Sequence, residues 1–84
     1  MTTVPTPLFS MVRWREGYKA EEVDVFLAEV QRALAGRLPD HALAERIRSA
    51  VFTPVRLRPG YDMQQVDDHL DELHLLASQG HPRT

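Results

Sequence analysis

The sequence predicts an all-α fold, a small helical domain of about three helices with coiled-coil-like pairing. Three observations carry that expectation. Val23, Leu27, Val30 and Leu34 follow a 4-3-4 spacing, the period of one helix face. Val66, Leu70, Leu73 and Ala77 repeat the spacing later in the chain. The length of 84 residues allows one small core rather than a large one with a catalytic cleft.

The two seams belong to a longer internal repeat. Residues 9–34 laid over 52–77, at an offset of 43, share ten identities in 26 positions. Unrelated sequence of ordinary composition would share roughly one or two. The first copy contains "VRWREGYKAEEVDVFL" and the second "VRLRPGYDMQQVDDHL". Each copy reads as a loop followed by a helix, and the two are joined by a short central helix. Divided after Ala42, each half carries five basic and six acidic residues, so the copies are also electrostatic equals.

Element by element, each copy opens on an extended approach. Val12 and Trp14, and then Val55 and Leu57, alternate with Arg13, Arg15, Arg56 and Arg58, which predicts one face toward the helices and the other toward water. Gly17 and Gly60 end the approach, and each is expected to take a positive φ. Pro59 before Gly60 suits a type II turn. Asp62 is the expected cap of the second helix, with Gln65 as its capping-box partner. Lys19 stands in that place in the first copy and offers no acceptor, so the first helix should start less firmly.

Phe26 widens the first seam, whereas its counterpart is His69. The central helix is expected over about 39–50, with Pro39 near its first turn and Leu43, Ile47 and Val51 on one face. The expected helix-pairing core is therefore Val23, Phe26, Leu27, Val30, Leu34, Ile47, Val66, Leu70 and Leu73. The whole chain, 1–84, reads as a single domain, with tails at 1–7 and 79–84 rich in Pro, Thr and Gly.

Composition narrows function by exclusion. A net charge of −2 gives no general pull toward nucleic acid. Without cysteine there is no disulfide framework and no thiolate metal site. With no long apolar run, neither a signal peptide nor a membrane span is expected, which makes cytoplasmic residence the default. No nucleophile stands beside a base. His69 and His74 are five apart and diverge on a helix, which defeats the i, i+4 zinc spacing. No enzyme, metal or cofactor is therefore expected.

Asp24 and Asp67 occupy identical places in the two copies. They are read as loop-anchoring carboxylates, each binding an arginine of its own approach, rather than as a catalytic pair. Tyr18 and Tyr61, in the turns, are read as packing rings with the hydroxyl at the surface. A helix-turn-helix DNA binder is the alternative class, since three short helices carry arginines. Asp67, Asp68, Asp71 and Glu72 disfavour it, because they would repel a duplex.

Phe9, "VRWREGY" and "EEVDVFLAEV", repeated as Phe52, "VRLRPGYD" and "QQVDDHLDEL", resemble the short DivIVA-type motif of bacterial cell-division and polar-growth scaffolds. The two matches cover about 52 of the 84 residues. The resemblance implies a tandem-motif relative of those scaffolds, a helical dimerising module at the inner face of the cell membrane. The long coiled coil that follows the motif in the family is not expected here. Implied partners are the chain itself, another coiled-coil division or polarity protein, and an anionic membrane surface.

In the family a loop hydrophobe just ahead of Arg-Gly-Tyr dips into the bilayer. Here Glu16 and Pro59 precede the glycines, and Trp14 and Leu57 lie three residues ahead of them. Trp14 between Arg13 and Arg15 suits a membrane interface, and it equally suits a strand face turned to the helices. The expected contact site is Arg13, Trp14, Arg15, Arg56, Leu57 and Arg58. Two arrangements of the repeat are open, pairing within one chain or across two chains, and the small size of the core favours a dimer or higher assembly.

Overall fold

The computed structural model describes residues 9–36 and 38–80. The chain runs β1 (Met11–Val12), β2 (Gly17–Tyr18), α1 (Ala20–Leu34), α2 (His41–Arg48), β3 (Pro54–Val55), β4 (Gly60–Tyr61) and α3 (Met63–Gln79). The strands form one antiparallel sheet in the order β1-β4-β2-β3. The all-α expectation is thus corrected to α+β, with 56% of the described residues helical and 11% in strands. The cause is the backbone. Extended approaches expose N–H and C=O groups that need partners, and the other copy supplies them.

The pairing interlocks the copies. β4 lies between β1 and β2, and β2 lies between β3 and β4, so neither copy closes a hairpin on itself. Val12 opposes Gly60 and Val55 opposes Gly17, while Tyr18 and Tyr61 face each other at the centre. Every partner is exchanged by the 43-residue offset, so the sheet has an internal pseudo-twofold axis. The bonds beyond the strands obey it too. Lys19 N–H donates to Thr53 O at 2.9 Å, and Asp62 N–H donates to Ser10 O at 2.9 Å. Thr53 N–H reaches the Glu22 carboxylate at 2.6 Å, and Ser10 N–H reaches Gln65 Oε1 at 2.6 Å.

This arrangement corrects the reading of the glycines. Neither Gly17 nor Gly60 has a positive φ; among the described residues only Leu57 and Gly80 do. The glycines are needed because strands from opposite copies pass too close for a side chain. A Cβ on Gly17 would lie 2.8 Å from Tyr61 O, and one on Gly60 would lie 2.9 Å from Tyr18 O.

The helices begin as their caps dictate. Asp62 accepts from Gln64 N–H at 2.9 Å, and Asp40 accepts from Leu43 N–H at 2.9 Å. Lys19 makes no side-chain cap, and Glu21 and Glu22 in the first turn of α1 suit its positive end instead. Gln65 does not close a capping box, because its amide is spent on Ser10. α2 is shorter than the expected 39–50, and Val51 lies beyond it, exposed instead of sharing a face with Leu43 and Ile47.

The buried cluster joins Val23, Leu27, Val30 and Leu34 of α1 to Leu43, Ala44 and Ile47 of α2 and to Val66, Leu73 and Ala77 of α3. Phe52 closes it, and Phe26 and Leu70 are only partly buried at its edge. The two seams and α2 therefore share one core within a single chain, in place of a coiled-coil pair. α2 runs beside α3, tied at its start by Asp40 N–H to Ala77 O at 2.7 Å. Its Arg46 reaches across to Glu29 of α1 at 3.0 Å. The expected tail at 79–84 is corrected at its start, since Gln79 ends α3 and Gly80 caps it; residues 81–84 and the expected tail at 1–7 lie outside the described residues.

Candidate interaction surface

The sheet's interlock places the β1–β2 loop and the β3–β4 loop side by side. Trp14, Arg15, Glu16, Arg56 and Leu57 line a common depression of about 340 Å³. Trp14 is 89% exposed and Leu57 86% exposed, so neither turns toward the helices as strict alternation would have it. The alternation fails because β1 stops at Val12 and the chain bends over 13–15. Leu57 has φ 61°, a left-handed conformation that opposes its branched side chain.

Ion pairs stitch the two loops. Arg56 lies 3.4 Å from Glu16 of the other copy, and Arg15 lies 2.6 Å from Asp62 at the start of α3. All four arginines are exposed, and among the described residues Arg13 and Arg58 form no ion pair. The loop end is therefore a pair of bare apolar side chains in a surround of excess positive charge.

Asp24 and Asp67 do not bind these arginines. Tyr61 donates its hydroxyl to Asp24 at 2.8 Å, and Tyr18 donates to Asp67 at 2.8 Å, each bond crossing between copies. The carboxylates thus anchor the turns through the tyrosines of the opposite copy. Burial first, then the bond to Asp67 and its charge, push the Tyr18 hydroxyl up to about 12. Tyr61 is raised chiefly by its bond to Asp24. Aromatic contacts follow the same symmetry, Phe9 against Tyr61 at 5.1 Å and Tyr18 against Phe52 at 5.4 Å. Phe9 also meets His69 edge-on at 5.8 Å, as Phe52 meets Phe26 at 5.7 Å.

A second feature was not expected. Val25, Phe26, Val51, Phe52 and Pro54 share an open groove of about 840 Å³ between the start of α1 and the segment after α2. One signal for it stands in the repeat, where Asp68 takes the place of Val25 and His69 that of Phe26.

Asp67, Asp68, Asp71 and Glu72 are exposed along α3, an acidic surface unsuited to a duplex. The described residues contain no group of three potential metal ligands, and no helix among them is long and apolar enough to cross a membrane. Compared with known proteins, the chain matches no family model, no curated protein and no solved structure.

Proposed function

We propose that this chain is a non-enzymatic interaction module that presents its paired loop end to an anionic membrane surface. One observation carries the proposal: Trp14 and Leu57, from different copies, emerge together and bare beside Arg13 and Arg58. An exposed indole and a leucine can enter the interfacial zone of a bilayer while guanidinium groups meet acidic headgroups. Neither attraction alone gives durable binding, and the proposal joins the two on one end of the sheet.

The resemblance to the DivIVA-type motif supports the same reading. It implies a module at the inner face of the cell membrane, with division or polar-growth scaffolds as partners. Helix seams are less suited to recruiting those partners, because Val23, Leu27, Val30, Val66 and Leu73 are already buried within one chain. The loop end remains available.

Flotation with vesicles containing phosphatidylglycerol tests the proposal. The wild-type chain should float with anionic vesicles and not with neutral ones. Trp14→Ser/Leu57→Ser should stay at the bottom with its charge unchanged. Flotation that survives the double change, or that never occurs with anionic vesicles, would overturn the membrane reading.

A further inference from the structure

The groove at Val25 and Val51 is an oddity in a duplicated fold. Val25 is 60% exposed and Val51 88% exposed, and both stand beside the half-buried ring of Phe26. The fold itself does not require them. At the pseudo-symmetric position, Asp68 replaces Val25 and His69 replaces Phe26, and the same strand pairing and helix start are built around polar groups. The molecule thus contains its own control at these two positions, apolar in one copy and polar in the other.

From these features we infer that the groove receives the loop end of a second copy of this chain, so that molecules join head to tail. The inference rests on the reading of the loop end as the contact surface and adds a second occupant for it. Shape is the first support. The groove's volume of about 840 Å³ falls in the range of clefts that take small ligands and leaves room for an indole with a leucine beside it. Trp14 and Leu57 form such a pair, both largely exposed where they line the depression at the loop end.

Charge is the second support. Glu21, Glu22 and Glu29 rim the groove against Lys19 and Arg46. Arg46 is occupied by Glu29 at 3.0 Å and stands 6.0 Å above the Phe26 ring. Bonds from the Thr53 backbone N–H and hydroxyl hold the Glu22 carboxyl below its ordinary range, so it stays ionised. The loop end has the opposite balance, four arginines against Glu16 and Asp62. Attraction between the two surfaces sets orientation, and apolar contact in the groove supplies adhesion.

Groove and loop end share no residue, and the docking inferred is heterologous, one loop end in one groove. Each molecule that docks one surface still offers the other, and the assembly grows until a ring closes or continues as a chain. The same loop end cannot enter a bilayer and a groove at once, so anionic membrane and self-assembly compete for it.

Sedimentation equilibrium with two complementary variants tests the inference. The wild-type mass should rise above 9.6 kDa with concentration and continue past the dimer. Trp14→Ser/Leu57→Ser removes the apolar pair of the loop end, and Val25→Ser/Val51→Ser removes that of the groove; each alone should associate more than about tenfold more weakly. Mixed together, the two should form a one-to-one complex that does not grow, because each retains one intact surface. Val25→Asp, which copies the residue at the symmetric position, provides a second groove variant with little risk to folding.

A wild-type mass fixed at 9.6 kDa, a groove variant that associates like the wild type, or a mixture that yields no one-to-one complex would each overturn the inference. Flotation keeps the two readings apart. If the groove variants associate normally yet only the loop variant fails to float, head-to-tail docking is wrong and the membrane reading stands.

Discussion

The Tyr18 hydroxyl donates to Asp67 at 2.8 Å, joining the turn of the first copy to the helix of the second. Its mirror is the bond from Tyr61 to Asp24, also 2.8 Å. These bonds tie the two central strands, β2 and β4, to the helix of the opposite copy.

Tyr18→Phe should therefore cost about 0.5–1.5 kcal/mol, the usual net worth of one such bond, measured by denaturant unfolding. The same variant should change the alkaline limit. Because the folded state holds the Tyr18 proton to about 12 rather than 10.0, its stabilisation is complete below pH 10 and is lost as pH rises toward 12. Unfolding monitored across that window should show a shallower decline for Tyr18→Phe than for the wild type.

Gly17→Ala and Gly60→Ala should each destabilise by about 1–3 kcal/mol, because the added methyl meets backbone and a valine that cannot both retreat. Gly36→Ala is the control. Its Cβ would meet only Ala33 O at 3.9 Å, so the change should be neutral or slightly stabilising. Equal effects at all three positions in urea midpoints would contradict the close-approach account.

Two leucines should respond in opposite directions. Leu73, 1% exposed in the core, should cost about 2–5 kcal/mol when replaced by alanine. Leu57→Gly should raise stability by about 0.5–1 kcal/mol, since glycine adopts φ 61° without strain and no core contact is lost. The same substitution removes an apolar side chain from the loop end, so thermal melting and vesicle flotation should move against each other.

Acid should weaken the fold through His69. Burial lowers its pKa below the ordinary 6.5, only partly opposed by Glu72, so the unfolded chain takes up the proton first. Stability present above pH 6.5 is then lost as pH falls through that value. His69→Phe restores the residue type of the symmetric position. It should flatten the change in unfolding midpoint between pH 7.5 and 5.5.

How far the sequence discloses these relationships depends on the kind of pattern each one leaves. α1 and α3 are legible because burial on a helix recurs every three to four residues, as from Val23 to Leu34. Strands of two residues leave no comparable period, so nothing local tells Gly17 to seek Val55 instead of Val12. Repetition marked the glycines and Asp24 and Asp67 as constrained without naming the constraint. Their reasons lie in the other copy, 37 residues away for Tyr61 and Asp24 and 49 for Tyr18 and Asp67. Trp14 was open to misreading for a simpler cause, since alternation predicts a side chain's direction only while the strand continues past Val12.

The strand order β1-β4-β2-β3 also governs how the molecule comes into being. During synthesis the amino-terminal strands emerge first, yet their partners Val55, Gly60 and Tyr61 follow them only 38 to 50 residues later. β1 and β2 must wait, open-edged, while α1 and α2 follow them out. Closure then requires the late strands to enter on alternate sides of an early one, a search that is slow by the standards of small helical proteins. A nascent first half that meets the first half of a neighbouring nascent chain finds the complementary Gly-Tyr strand there too. On crowded polysomes, correct assembly thus becomes a race between completing one's own chain and borrowing a strand from next door.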